Sequence, residues 1–114
     1  MQIKIHEAYR KIVAVSDTSL IGKKFSEGIR QIEVKEGFFK GEEKNKKEVL
    51  KVLKDMEKED ATFSIVGEES VKTALEARII SKDGIIIIEG VPVALGLMWN
   101  FLLIYIPSNY YFPI

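Results

Sequence analysis

The chain has 114 residues with 17 basic and 17 acidic side chains, so its formal net charge is zero, and it contains no cysteine. This length predicts one folded domain with one modest core, and the mixture of apolar and charged residues excludes a disordered polar chain. Disulfides, cysteine-ligated metal centres and cysteine nucleophiles are excluded, which favours a reducing, cytoplasmic setting.

The charge is distributed unevenly along the chain. Residues 1–58 carry 14 basic and 10 acidic side chains, whereas residues 59–114 carry 3 basic and 7 acidic ones. The first part is therefore mildly basic, which is compatible with a polyanionic partner. The excess is too small to establish nucleic-acid binding by itself.

Two strands are predicted at the start of the chain. Ile3 and Ile5 alternate with polar neighbours, which is the period of a half-buried strand. Residues 11–16, "KIVAVS", form a second and more apolar run. The segment between them is short enough for an antiparallel hairpin.

The next segment predicts a loop and a third strand. Residues 17–28, "DTSLIGKKFSEG", contain turn residues and predict a structured loop with one helical turn. Alternation resumes through Ile32 and Val34. We expect this third strand to end at Gly37.

The clearest helix signal follows Asn45. That residue can cap the first turn, and Glu48, three residues later, can complete a capping box. Apolar residues then recur at steps of three and four, as one buried stripe of a helix requires. They are Val49, Val52, Leu53 and Met56.

A second helix and a final strand are predicted after Gly67. Val71, Ala74 and Leu75 share one face of the segment "EESVKTALEAR", with Gly67 as the turn before it. Residues 85–88 are four isoleucines bounded by turn residues, which favours a strand buried on both faces. The "GVPVA" that follows is expected to end or turn this last strand.

These elements predict a single α+β domain with a mainly antiparallel sheet packed by two helices. We assign residues 1–95 to this domain and residues 96–114 to an apolar C-terminal extension. No internal repeat or flexible linker divides the chain.

The chain has no charged residue from Gly90 to its end. Pro92 and Pro107 limit an uninterrupted helix there to 14 residues, about 21 Å, which is too short to cross roughly 30 Å of hydrocarbon. A membrane span is therefore not expected, although association with a membrane surface stays an alternative. The extension is a candidate homo-oligomeric interface through Trp99, Phe101, Leu102, Ile104 and Tyr105.

Three segments in this order resemble an archaeal family catalogued as domain of unknown function 424: "DTSLIGKKFSEG", "FSIVGEESVKTALEARII" and "IIIIEGVPVA". The resemblance runs from about Ile3 to Ala94, and its most specific pieces are VGE and GVP. It implies a small intracellular archaeal protein and supplies no established reaction, cofactor or catalytic residue. Family members tend to have Asn, His and Gln where this chain has Ser64, Val93 and Leu95.

Lysines form the sharpest polar pattern. On the predicted helix, four of them fall at steps of four, three and four, so they line one stripe opposite the apolar face. These are Lys47, Lys51, Lys54 and Lys58, and the adjacent pair Lys23 and Lys24 occupies the predicted loop. Both sets suit contact with phosphate, although simple solvation is the favoured interpretation of each. The loop lacks the spacing of a P-loop.

No catalytic or metal motif can be assembled from the sequence. The single histidine, His6, lacks a partner at metal-ligand spacing and is expected to be structural. An enzyme is therefore the less favoured class, and no cofactor is predicted. The first hypothesis is a noncatalytic accessory factor in information processing that contacts RNA or a ribonucleoprotein through the lysines. The alternative is a protein–protein interaction module that forms homo-oligomers through its C-terminal segment.

Overall fold

Eight short strands and three α-helices follow one another along residues 1–95, the part of the chain that the computed structural model describes. The strands are β1 (Gln2–His6), β2 (Ile12–Ser16), β3 (Lys24–Glu27), β4 (Arg30–Glu33), β5 (Glu42–Glu43), β6 (Thr62–Val66), β7 (Ile86–Ile88) and β8 (Val91–Leu95). The helices are α1 (Glu36–Phe39), α2 (Lys46–Lys58) and α3 (Glu68–Glu76). Short 3-10 turns occupy Thr18–Leu20 and Lys82–Gly84.

Six of the strands form one sheet in the order β5-β1-β2-β6-β8-β7. Every neighbouring pair is antiparallel except β2 and β6, which run parallel with Ile12 opposite Thr62. The strands β3 and β4 form a separate two-stranded hairpin. The predicted α+β domain with a mainly antiparallel sheet and two main helices is therefore confirmed.

The central strands bury side chains on both faces of the sheet. On β2, Val13 and Val15 belong to a core with residues of α2 and α3, whereas Ala14 belongs to a core with Phe38 and Val34. Because successive strand residues point to opposite faces, the two long helices cover one face, and the β3–β4 hairpin and α1 cover the other.

The helix α2 begins and packs as its sequence predicts. Asn45 Oδ1 accepts from the Glu48 N–H at 2.9 Å, and Glu48 Oε1 accepts from the Asn45 N–H at 3.0 Å, which completes the capping box. Val49 and Leu53 are fully buried against the sheet. The second predicted helix is also confirmed, with Val71 and Ala74 buried.

Two expectations for the segment between β2 and α2 were wrong. Residues 24–27 form a strand and not a loop, because Gly28 has φ of 65° and supplies a two-residue turn that folds β3 onto β4. The strand β4 ends at Glu33, before Gly37, which lies inside the short helix α1. This helix exists because Phe38 and Phe39 are both buried, which anchors one turn against the sheet.

The prediction for the isoleucine run, a strand buried on both faces, was also wrong. This run forms β7, which is an edge strand. Ile86 and Ile88 face the hairpin, and Ile88 is fully buried. Ile87 points to the other face and is 50% exposed, since the two helices pack over the more central strands. "GVPVA" turns the chain, as expected, and then forms β8, a further strand inside the sheet.

Candidate functional site

Three distant segments of the chain meet at one point, which we call the junction: Asp17 after β2, Gly67 after β6 and Pro92 in β8. The parallel strands β2 and β6 end side by side, and the Asp17 N–H donates to the Val66 carbonyl at 3.1 Å. The Gly67 N–H donates to the Pro92 carbonyl at 2.9 Å. Each of the three segments that carry the family resemblance thus contributes one residue to the junction.

The Asp17 carboxylate caps the helix α3 from a distance along the chain. Its Oδ1 accepts from the Ser70 N–H at 2.8 Å and from the Ser70 hydroxyl at 2.7 Å, and its Oδ2 accepts from the Glu69 N–H at 3.2 Å. The local cap residue, Gly67, has no side chain to do this. The N-terminus of α3, where the helix dipole is positive, therefore already binds a carboxylate of the protein itself.

Gly67 is required by this arrangement. Its φ of 111° is a conformation that side-chain-bearing residues rarely adopt. A Cβ at this position would lie 2.6 Å from Asp17 Oδ1 and 2.7 Å from Oδ2, well inside van der Waals contact. The junction therefore has a structural role, because its three residues hold α3 against the ends of two strands.

His6 has a packing role in the structure. Its ring stacks on Phe38 with centroids 4.6 Å apart, and Nε2 lies 2.9 Å from the Phe38 carbonyl oxygen. Within residues 1–95 no group of three or more histidine and carboxylate side chains is placed to hold a metal ion. Nor does any helix in that range combine the length and apolarity needed to cross a membrane.

The two lysine sets lie on opposite sides of the sheet. Lys23 and Lys24 are exposed beside the β3–β4 hairpin, and Lys24 stands opposite Glu33 in the hairpin register. The helix α2 packs on the other face, with its lysines directed to solvent. The structure therefore does not bring the two sets into one continuous surface.

Three exposed lysines of α2 lie along one side of the helix, and we call them the lysine row: Lys47, Lys51 and Lys58. Lys47, Lys51 and Lys58 are exposed, and Lys51 lies 3.8 Å from Asp55. Within the described residues, neither Lys47 nor Lys58 has a carboxylate at ion-pair distance. Lys54 Nζ instead donates to the Ala77 carbonyl at the end of α3, at 3.4 Å. Lys47 and Lys58 are therefore available to a partner, and so is Lys51, whose side chain is 81% exposed although it pairs with Asp55.

The loop between β1 and β2, residues 7–11, contacts the residues that follow α2, and the sequence did not predict this contact. Arg10 forms an ion pair of 2.8 Å with Asp60, and Lys11 forms one of 2.7 Å with Glu59. The hydrogen bond and the charge of Glu59 raise the pKa of Lys11. The loop therefore lies beside the C-terminal end of the lysine row. No local pattern in the sequence indicates that residues 10–11 would meet residues 59–60, which are far away along the chain.

The expected interface residues of the C-terminal extension lie outside the described part of the chain. They are Trp99, Phe101, Leu102, Ile104 and Tyr105. Ser64 and Leu95 are register partners in the sheet, and both are buried, as is Val93. These three positions therefore contribute to packing here.

Comparison with known proteins decides the family. A family model described as "Protein of unknown function (DUF424)" matches residues 5–97. The chain belongs to the DUF424 family. An uncharacterized conserved protein from Methanopyrus kandleri has a similar crystal structure, with a TM-score of 0.71 and 22% sequence identity over 82% of this chain and 87% of that chain. Comparison with curated proteins gives no match.

The DUF424 assignment confirms the resemblance carried by the three sequence segments, and the archaeal neighbour has the same fold. The similarity to that neighbour is a similarity of fold alone. Neither the description of the family nor that of the neighbour gives an activity.

Proposed function

We propose that this DUF424 protein is a noncatalytic accessory factor of archaeal information processing that contacts RNA or a ribonucleoprotein through the lysine row. The proposal is carried by one observation, the exposure of Lys47, Lys51 and Lys58 along one side of α2. The row extends over about 16 Å at 1.5 Å per residue. It presents charge along a line, which suits the regularly spaced phosphates of a nucleic-acid backbone.

The local charge balance supports this use of α2. The helix contains five lysines and three acidic residues. One of the lysines, Lys46, is engaged by Glu76 at 2.6 Å, so the contact would rely on the remaining ones. Each phosphate that a lysine neutralises releases bound counterions, which makes the affinity depend on salt concentration.

Lys23 and Lys24 play no part in this contact, because they lie on the other face of the sheet. They are therefore a natural internal control. The triple variant K47Q/K51Q/K58Q and the double variant K23Q/K24Q both remove exposed lysines, and only the first removes the row.

The test is binding of structured RNA to both variants across a salt series. We expect the triple variant to bind more weakly, with the slope of log affinity against log salt reduced by about 2. The double variant should bind as the wild type does. Absence of binding by the wild type at low salt, or equal affinity of wild type and triple variant, would contradict the proposal.

A homo-oligomeric interaction module is the second candidate function, and the exposed apolar residues favour it. Ile87 on the edge strand β7 is 50% exposed, and Ile29 at the tip of the hairpin is 67% exposed. An apolar sheet edge is a ready site for pairing with another strand. The extension, which includes Trp99 and Tyr105, is uncharged and rich in apolar residues, and this composition also favours an apolar partner.

Light scattering of three proteins tests this candidate: the full chain, the full chain with Ile87→Lys, and the chain ended after Met98. A dimer or larger assembly is expected for the full chain, with dissociation in at least one of the other two. If the full chain is monomeric at high concentration, the module hypothesis is abandoned.

A further inference from the structure

We infer that Tyr9 is a stacking platform for an unpaired base at the end of the lysine row, so that the RNA ligand contains a single-stranded segment. This inference rests on the proposed function, because it uses the lysine row as the phosphate contact. It adds the class of nucleic acid and a contact that the lysines cannot supply.

The loop that carries Tyr9 is anchored by the two residues that follow Tyr9. Arg10 and Lys11 pair with Asp60 and Glu59, the residues that directly follow α2. The Thr62 N–H also donates to the Lys11 carbonyl at 2.9 Å. The loop that carries Tyr9 is therefore held at the end of α2 where the lysine row finishes.

The exposure of Tyr9 is exceptional within residues 1–95. Its relative accessibility is 110%, whereas Phe38, Phe39 and Phe63 are buried and Phe25 is half-buried. An aromatic ring contributes most to stability when its faces are covered. The ring of Tyr9 is thus left free for a ligand, and it contributes little to the core.

The ion pairs of the loop also offset negative charge at the C-terminal end of α2. The carboxylates of Glu59 and Asp60 follow the helix closely and would repel a phosphate near Lys58. Arg10 and Lys11 pair with Asp60 and Glu59, at 2.8 Å and 2.7 Å, and so offset these two carboxylates beside Lys58, while Glu7 of the same loop also acts on Lys11. The loop therefore brings an aromatic face together with two basic side chains that offset the carboxylates following α2.

This combination matches the way proteins bind single strands. Aromatic side chains stack on bases of any identity, while lysines contact the backbone. In a duplex the bases are already stacked on each other, so only the outer faces of the two terminal base pairs are accessible. Tyr9 should therefore favour an unpaired segment and leave the affinity for a blunt duplex unchanged.

The experiment measures fluorescence anisotropy of a labelled single-stranded oligoribonucleotide and of a blunt duplex of the same sequence. The proteins are the full-length wild type, Y9A, Y9F and the triple variant K47Q/K51Q/K58Q. We expect Y9A to weaken single-strand binding by about tenfold and Y9F to retain it, since the phenyl ring also stacks. Duplex binding by Y9A should equal that of the wild type.

The outcomes separate the inference from the proposed function. If Y9A binds the single strand as tightly as the wild type while the triple variant binds weakly, the inference fails and the lysine row stands. If Y9A weakens duplex and single strand equally, the stacking role is also overturned. If the wild type binds neither RNA, both proposals fail. Circular dichroism of Y9A should match the wild type, because the side chain is fully exposed.

Discussion

Asp17 and Ser70 lie 53 positions apart along the chain, yet one carboxylate oxygen of Asp17 accepts from both the backbone N–H and the hydroxyl of Ser70. This contact fixes the start of α3 to the end of β2. It also explains why the sequence around Gly67 offers no capping side chain, since the cap comes from elsewhere. The segments typical of the family thus specify a joint of the fold.

Replacing Asp17 by alanine should lower the free energy of unfolding by about 2 kcal/mol, because the first turn of α3 loses its cap and the Ser70 hydroxyl loses its acceptor. Urea denaturation monitored by circular dichroism measures the change. Glu68→Gln is the matched control, since Glu68 is an exposed acidic residue in the same turn. An equal loss in both variants would argue against the capping role of Asp17.

Gly67→Ala should cost more, about 3 kcal/mol, because it combines a strained φ with a collision against the Asp17 carboxylate. The double variant D17A/G67A should lose less than the sum of the two single losses, since removal of the carboxylate also removes the collision. Strict additivity in this double-mutant cycle would show that the two residues do not interact. Gly84→Ala, where a Cβ meets nothing within 4 Å, is the control.

The capping box of α2 gives a further prediction. Asn45→Ala removes the acceptor of the Glu48 N–H and should lower the free energy of unfolding by about 1 kcal/mol. Glu48→Gln keeps an acceptor for the Asn45 N–H and should be nearly neutral. Thermal unfolding of the two variants checks the difference, and a larger loss in the glutamine variant would be inconsistent with the capping box.

The edge position of β7 predicts opposite sensitivities for neighbouring isoleucines. Ile88→Ala should destabilise by about 2–5 kcal/mol, because Ile88 is fully buried and its truncation leaves a cavity. Ile87→Ala should cost less than about 1 kcal/mol, since that side chain is half exposed. Chemical denaturation distinguishes the two, and equal losses would restore the view of β7 as a strand buried on both faces.

Glu43 makes stability depend on pH. Hydrogen bonds from the Met1 ammonium and from Thr18 lower the pKa of its carboxyl below the usual value of 4.5. A carboxyl with a lowered pKa stabilises the folded state above its unfolded-state pKa, and this contribution disappears as the pH falls through the folded-state pKa. The difference in free energy of unfolding between wild type and E43Q should therefore be largest near neutral pH and shrink on acidification below about 4.5.

Denaturation of wild type and E43Q at several pH values, from about 3 to about 7, measures this dependence. D83N is the matched control, because Asp83 is exposed and has no ion pair within residues 1–95. A difference between wild type and E43Q that does not vary with pH would contradict the assigned contacts of Glu43.

Local signals in the sequence predicted those elements whose formation depends on local chemistry. The capping box at Asn45 and the apolar stripe through Val49 and Leu53 define α2 without reference to the rest of the chain. The hairpin of β1 and β2 follows from alternation and a short connection. These predictions were correct because the residues that decide each element lie within a few positions of one another.

The remaining features depend on contacts between distant segments. The short strand β3 has one inward residue, Phe25, so its alternation was too brief to recognise. The exposure of Ile87 depends on where the helices lie over the sheet. For the candidate site, the lysine row could be read from helical spacing, whereas the docking of Tyr9 beside it depends on two ion pairs formed across the fold.

The parallel pairing of β2 with β6 has a consequence for how the chain folds. It joins Ile12 to Thr62, and the hairpin, α1 and α2 all lie in the closed loop between these two strands. Contacts of such separation slow folding, because the entropy of closing the loop is lost before the contacts stabilise it. Because the contacts within α2 are local, we expect this helix to form faster, on the microsecond scale of isolated helices. We therefore expect the closure of β2 on β6, together with the positioning of elements on both sides of the sheet, to set the folding rate.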